Sequence, residues 1–185
     1  MNLAHRLCCR SNLWKFMSAR AIVPYALRDI PAGGSTLEIG PGYGANVAAL
    51  QERCDRLTGL EIDAGLARGL RARQSSMTVV SGDGTAMPFA DNSFDSIVCF
   101  TMLHHVPTPA LQDAVFAEAA RTLRPGGWLA GSDGTDNPAF RLVHQYDTYV
   151  PIEPGGLADR LHVAGLVDVA ITAGRGQVWF RGRAE

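Results

Sequence analysis

The sequence predicts an α/β fold, doubly wound about a mostly parallel sheet, and three observations predict it. Apolar strand-like runs and helical runs alternate about five times along the chain. The first strand-like run ends directly in a turn with three alternating glycines, Gly40-Pro41-Gly42-Tyr43-Gly44, that opens a helix. Two terminal alternating runs, with Val167, Val169 and Ile171 and then Val178 and Phe180, are joined by too few residues for a parallel crossover, so the last strand is expected to run antiparallel.

Taken in order, residues 1–30 form a helical segment, with Pro24 breaking it or opening a second helical piece and Pro31 to Gly34 stopping it. Ser35 to Ile39 is a first strand, and the helix after the glycine turn presents Val47, Leu50 and Cys54 on one face. Arg56 to Glu61 is a second strand. Asp63 caps a short helix weakened by Gly65 and Gly69, and Met77 to Val80 is a third strand. A loop rich in Gly, Asp and Pro leads to Phe94 to Phe100, an apolar run suited to a central strand. Thr108 and Pro109 cap and open a helix with Phe116, Ala119, Ala120 and Leu123 on one stripe, which Arg124 to Gly127 stops. Trp128 to Ser132 is a fifth strand and Asp133 to Pro138 a loop. Residues 139–154 fit no single element, and a helix with Leu157, Leu161 and Ala164 ends at Gly165.

The 185 residues, 46% hydrophobic and 19% charged, suit a single domain over 1–185 with its own core. A formal charge of −1 and a pI near 6.5 supply no global positive field for nucleic acid. Charge is uneven, however: Arg6, Arg10, Lys15, Arg20 and Arg28 all precede the first acid, Asp29. This segment reads as a targeting peptide, a membrane-surface helix or a helix packed over an acidic cleft. Polar residues interrupt it too often for a signal peptide, no stretch is long enough to cross a membrane, and packing against the domain is the expected reading. Cys8, Cys9, Cys54 and Cys99 show neither CxxC pairing nor a His at metal-ligand spacing, so no metal site or disulfide framework is expected, and reduced thiols point to the cytoplasm.

In an open parallel sheet ligands bind beyond the carboxyl ends of the strands, and polar residues gather there: Glu38 to Gly44, Glu61, Asp83, Thr101 to His105, and Asp133. The glycines let the backbone turn tightly against a ligand, but Gly40-x-Gly42-x-x-Ala45 with Glu61 also satisfies a dinucleotide pattern. Glu61 suits a ribose diol in either case. Glu38, immediately before the glycines, would repel a pyrophosphate and favour a cationic ligand, and Asp83 is placed to accept from an exocyclic amine such as adenine's. Adenine, ribose and a cationic tail together fit S-adenosylmethionine.

On these residues the chain resembles the class I, Rossmann-like S-adenosylmethionine-dependent methyltransferases, in particular their small-molecule branch. The resemblance rests on LEIGPGYG (37–44), GLEID (59–63), SGDGTAMPFADNSFD (81–95), VCFTMLHHV (98–106) and RTLRPGG (121–127), in order and spacing. It implies a seven-stranded sheet with the antiparallel last strand inserted beside the fifth or sixth, and an N-terminal helical lid. It implies that Gly40, Gly42 and Gly44 curl under the methionine portion of the cofactor, with Glu38 helping to hold the ammonium. Glu61 would take the ribose, Ile62 pack on adenine, Asp83 and Gly84 read its edge, and Phe100 offer a carbonyl to the amine.

Trp14, Arg20 and Tyr25 are candidate lid contacts, Trp14 and Tyr25 with the substrate. His144, Tyr146 and Tyr149 fall where relatives build the acceptor pocket, although the tyrosines suit a core helix equally well. His104 and His105 are candidate bases for an acceptor that must lose a proton, or else they shape the loop. No NPPY-like motif supports methylation of nucleic-acid bases. The expected function is methyl transfer to oxygen, carbon or nitrogen of a small, possibly lipid-like molecule, with peripheral membrane contact by the basic segment. A non-catalytic protein that binds S-adenosylmethionine and a nicotinamide-dependent oxidoreductase are the competing readings.

Overall fold

The structure is a computed structural model that describes residues 3–174 and 176–185, and the side chains of residues 3–5, 8 and 139 lie outside the description, the Cys8 thiol among them. Seven strands form one sheet: β1 (Ser35–Ile39), β2 (Arg56–Glu61), β3 (Thr78–Ser81), β4 (Phe94–Phe100), β5 (Leu123–Gly134), β6 (Leu166–Gly174) and β7 (Gln177–Ala184). Their order is β3-β2-β1-β4-β5-β7-β6. Every pairing is parallel except those of β7, which runs antiparallel between β5 and β6, as the short link and the resemblance imply.

The first thirty residues are helical in pieces: α1 (Leu3–Arg10), α2 (Asn12–Met17), a π-helical turn at Ser18–Ile22, and α3 (Val23–Ala26) with Pro24 in its first turn. Ser11 separates the first two, its hydroxyl accepting from the Trp14 amide. Then come α4 (Val47–Gln51), α5 (Ala64–Arg73), α6 (Pro109–Thr122), α7 (Pro138–Val143) and α8 (Pro154–Val163). Asp63 and Thr108 cap α5 and α6 as their types predict, accepting from the Leu66 and Leu111 amides.

The period-two alternation of the strands splits the core between the two faces of the sheet. Leu37, Ile39, Ile97 and Cys99 pack with Phe116 and Ala119 of α6 and Leu157 and Leu161 of α8. Val98 and Phe100 point the other way, toward Val23 of α3, Val47 and Leu50 of α4, and Ala67 and Leu70 of α5. Strand order reverses between β1 and β4, which opens a crevice at their carboxyl ends.

Four expectations need correction. Helix α4 stops at Gln51, so Cys54 lies beyond it and only Val47 and Leu50 are buried. Strand β5 starts at Leu123 rather than Trp128: Leu123 pairs with Phe94 and Trp128 with Ser96, and residues 124–127 form the irregularity between, with Gly126 at a φ of 79°. It runs on through Asp133 and Gly134, which were read as loop. The alternation of Val167, Val169 and Ile171 is broken by a bulge at Asp168, φ 52°, so that Leu166 is the buried start of β6.

Candidate active site

The carboxyl ends of β1, β2, β3 and β4 and the start of α6 surround a cavity of about 440 Å³. Its wall includes Gly40, Gly42, Asn46, Glu61, Ile62, Asp83, Gly84, Phe100 and His105, with Cys9 and Trp14 from the N-terminal helices across the opening. The sequence had placed most of these residues there one strand end at a time; the fold brings them together.

The glycine turn is built by backbone geometry that glycine alone adopts cheaply: Gly40, Gly42 and Gly44 have φ of 67°, 55° and 78°. A Cβ on Gly40 would stand 3.1 Å from the Met102 side chain, whereas one on Gly42 would meet nothing within 4 Å, so that position faces open cavity. Gly44 is different. It is not part of the wall, and a Cβ there would come within 2.8 Å of Leu70, so Gly44 is needed to seat the turn on α5.

Glu61 is buried, and both its oxygens accept backbone N–H bonds, Oε2 from Gly42 at 2.9 Å and Oε1 from Asp63 at 3.0 Å. The carboxylate is thus fixed at the end of β2 with lone pairs left for a diol. Ile62 beside it is 71% exposed, an apolar face on the wall ready to be covered by a flat ring. Asp83 is exposed and its Oδ1 accepts from the Thr85 amide at 2.8 Å. At the end of β4 the Phe100 carbonyl accepts from the Thr101 hydroxyl, and Thr101 holds a φ of 50°, an uncommon conformation for a β-branched residue.

Glu38 departs from expectation. It is buried behind the wall rather than on it, because strand alternation turns it into the helix-covered interior. Its Oε1 accepts from Asn46 Nδ2 at 2.7 Å, while Oε2 is buried with no hydrogen-bond partner. Desolvation pushes its pKa up to about 7, with the Asn46 bond opposing and the nearby Glu61 charge adding to the rise. Asn46, which does line the cavity, also accepts from the buried Ser18 hydroxyl at 2.5 Å, tying the N-terminal segment to Glu38. Asn46 and Ser18 were missed. Asn46 stands at the helix start, where its side chain would ordinarily cap α4, but it makes no capping bond and spends its amide on Glu38 instead.

Of the acceptor-side candidates, Trp14 and His105 reach the cavity. Tyr25 does not: it packs edge-on against Trp179 at 4.9 Å with Arg28 over its ring. Arg20 likewise lies outside the wall, over Phe16. Tyr146 is 96% exposed in a turn with φ 65°, so it is neither a wall nor a core residue. His104, His144 and Tyr149 sit just behind His105. His104 Nδ1 lies 2.5 Å from Asp133 Oδ1, His104 Nε2 lies 3.0 Å from His144 Nε2, His144 Nδ1 lies 2.7 Å from the Phe140 carbonyl, and Tyr149 stacks on His144. No metal site was expected; nonetheless one ring nitrogen from each of His104, His105 and His144 lies within 4.8 Å of the other two. These rings are brought together from positions 40 residues apart, beyond the reach of any spacing rule.

Beside the cavity a wider cleft of about 610 Å³ is lined by Arg6, Arg10, Lys15 and Arg73, sharing Tyr43, Asp63 and Leu66 with it. The basic segment itself supplies Arg6, Arg10 and Lys15 to this cleft, and Asp63 and Arg73 are the charged residues that α5 and its cap bring to it. Among the described residues no helix is long and apolar enough to cross a membrane.

Comparison with known proteins agrees with this geometry. Residues 37–131 match the family described as "Methyltransferase domain". A demethylmenaquinone methyltransferase of Renibacterium salmoninarum is 30% identical over 121 residues, covering 65% of this chain and 49% of that protein. The methyltransferase GfsG of Streptomyces halstedii is 32% identical over 136 residues, covering 67% and 48%. The chain therefore spans about half the length of these curated relatives. Among solved structures, an S-adenosylmethionine-dependent methyltransferase of Thermotoga maritima superposes with a TM-score of 0.74 at 20% identity, covering 99% of this chain and 92% of that one, a likeness of fold.

Proposed function

Since the chain belongs to the class I S-adenosylmethionine-dependent methyltransferases, we propose that it transfers a methyl group from that cofactor to a small, largely apolar molecule. The carrying observation is the convergence of the glycine turn, Glu61, Ile62, Asp83, Gly84 and Phe100 on one cavity, with a cradle at Gly42 that a side chain would fill. Bound there, S-adenosylmethionine supplies an electrophilic methyl group for in-line displacement by an oxygen, carbon or nitrogen atom.

The chain's part is to hold and orient. Gly40 and Gly42 admit the methionine portion, Glu61 takes the ribose hydroxyls on its remaining lone pairs, Ile62 covers an adenine face, and Asp83 with the Gly84 amide reads its edge. Phe100 presents its carbonyl to the amine. Asn46 faces that end of the cavity with Glu38 behind it, so the buried carboxyl acts on the ligand through Asn46 rather than by contact. Holding both reactants in line can be worth about 7–11 kcal/mol, and no other group is required unless the acceptor must lose a proton. His105 is the imidazole on the wall for that purpose.

The cavity wall also carries Trp14, Met102, Val106, Leu111 and Val115, an apolar lining that favours an apolar acceptor beside the cofactor. Two further facts support a lipid-like one: a relative is named for demethylmenaquinone, and Leu7, Leu13, Phe16 and Met17 of the N-terminal helices are exposed among basic residues. The dinucleotide reading has no support from the family match.

Calorimetry with S-adenosylhomocysteine tests the cofactor site. The wild type is expected to bind, and Glu61→Ala and Asp83→Ala each to weaken binding about tenfold or more through loss of charge-assisted hydrogen bonds. Folded protein that binds neither S-adenosylhomocysteine nor S-adenosylmethionine would overturn the proposal. Methyl incorporation into quinols and phenols then tests the acceptor class.

A further inference from the structure

The three imidazoles at and behind the cavity wall share a feature that core packing does not require. Each presents its Nδ1 to an oxygen acceptor: His104 to the Asp133 carboxylate at 2.5 Å, His144 to the Phe140 carbonyl at 2.7 Å, and His105 to the Thr148 carbonyl at 3.3 Å. Carbonyl oxygens only accept, so Nδ1 of His144 and His105 carries the hydrogen, and the carboxylate imposes the same tautomer on His104. Asp133 is itself held by the Leu103 amide at 2.8 Å and the Gly134 amide at 2.7 Å, so the His104 ring is fixed from behind. In this tautomer Nε2 of a neutral ring is an acceptor. Nε2 of His104 and of His144 face each other at 3.0 Å, and two acceptors at that distance are reconciled by a shared proton or by a metal ion bound to both.

From this arrangement we infer a binding site for one divalent transition-metal ion, formed by His104, His105 and His144 on the acceptor side of the cavity. Outward Nδ1–H bonds to a carboxylate and to backbone carbonyls are what metal-bound histidines ordinarily make, because they fix the ring and raise its basicity. Nitrogens bound at 2.0–2.1 Å around a tetrahedral ion stand about 3.3 Å apart, close to the His104–His144 separation. His105 closes the set by a small rotation: its ring is half-buried, and the ligand atoms of all three lie within 4.8 Å. Three imidazoles suit zinc, nickel, cobalt or iron rather than magnesium or calcium, which prefer oxygen. Three protein ligands also leave a coordination position for water or an acceptor oxygen, and since His105 belongs to the cavity wall that position opens toward the acceptor. Asp133 offsets part of the ion's charge, which makes it a positioning residue and not a ligand.

The metal site does not rest on the proposed methyl transfer, although a bound ion would occupy the His105 lone pair that could otherwise take a proton, and its test is a binding measurement. Untagged full-length protein, stripped with chelator, is titrated with Zn²⁺ by calorimetry and with Co²⁺ followed by visible absorption. One equivalent per chain is expected, with a Co²⁺ spectrum of nitrogen ligation lacking thiolate charge transfer. His105→Ala, which removes the least buried ring, is expected to lower affinity at least tenfold, Asp133→Asn about tenfold through the outer hydrogen bond, and His162→Ala, on the exposed face of α8, not at all. Circular dichroism and S-adenosylhomocysteine binding on the same samples separate loss of this site from loss of fold or of the cofactor cavity. Absence of stoichiometric binding, retention of binding in folded His105→Ala and His144→Ala, or its loss in Cys9→Ser or Cys54→Ser instead would overturn the inference; a single proton shared by His104 and His144 would then occupy the gap.

Discussion

At the scale of single residues, Glu38 shows how position in a strand changes the chemistry of a side chain. The sequence places it beside the glycines, where a carboxylate would attract a cation; the fold buries it, and desolvation raises its pKa to about 7. Folded Glu38 therefore keeps its proton over a range where unfolded Glu38, titrating near 4.5, has lost it. With a raised folded pKa, stability falls as pH climbs from about 4.5 to about 7 and then levels off, a component on the order of 3 kcal/mol by linkage. Glu38→Gln removes the titration and keeps an acceptor for Asn46. Urea unfolding at pH 5 and pH 8.5 should show a drop in the wild type that is largely absent from the variant; equal drops in both would refute the assignment. The other residue-scale surprises share a cause. Asn46 matters because it meets Glu38 across 8 positions and Ser18 because it meets Asn46 across 28, and Tyr146 does not matter because a left-handed turn throws it into solvent. None of these contacts leaves a mark on local pattern.

At the scale of elements, the opposite end of β1 from the site depends on one exposed-looking acid. Asp95 Oδ2 accepts from the Ser35 amide at 2.7 Å and the Ser35 hydroxyl at 2.9 Å, and its Oδ1 accepts from Arg124 at 2.6 Å, pinning the starts of β1, β4 and β5 together. These partners, the Ser35 amide foremost, lower its pKa to about 2. Its stabilisation is present above the ordinary carboxylate range and is lost as pH falls toward 2. The side chain is 40% exposed, so solvent screening limits the effect of Asp95→Ala to about 1 kcal/mol, measured by denaturant at pH 7. Binding of S-adenosylhomocysteine should be unchanged, since Ser35 and Gly40 are separated by about 16 Å of strand; weakened binding would mean that the strand ends are coupled. Elements whose patterns are local were legible: the alternating and apolar runs located all seven strands, and Asp63 and Thr108 marked helix starts. Where irregularity depends on a neighbouring strand, as at the 124–127 insertion opposite Asp95 or the bulge at Asp168, periodicity gave no warning. Residues 139–154, which hold His144 and Tyr149, owe their course to contacts with His104 and Asp136 from other elements.

At the scale of the whole molecule, the N-terminal helices have two sides with different tasks. Inward, Trp14 reaches the cavity and Ser18 bonds Asn46, so the segment is part of the site. Outward, Leu13 is 69% and Phe16 61% exposed one turn apart, with Met17 beside them and Lys15 and Arg20 nearby. Exposed apolar residues in a basic helical segment are the pattern of a helix resting in a membrane interface, where the apolar side chains insert and the cations meet anionic headgroups. Two inserted side chains are each worth about 1.5–3 kcal/mol if fully buried, so the paired substitution Leu13→Glu with Phe16→Glu should reduce co-sedimentation with phosphatidylglycerol-containing vesicles by tenfold or more. Raising salt should weaken wild-type binding by screening the basic residues, while neutral vesicles should retain little protein. S-adenosylhomocysteine affinity should survive the paired substitution, because both side chains are exposed and neither belongs to the cavity wall that Trp14 joins. Equal sedimentation of variant and wild type would assign the exposed apolar side to another task, and light scattering that shows a dimer dispersed by the same substitutions would identify that task as pairing of two chains.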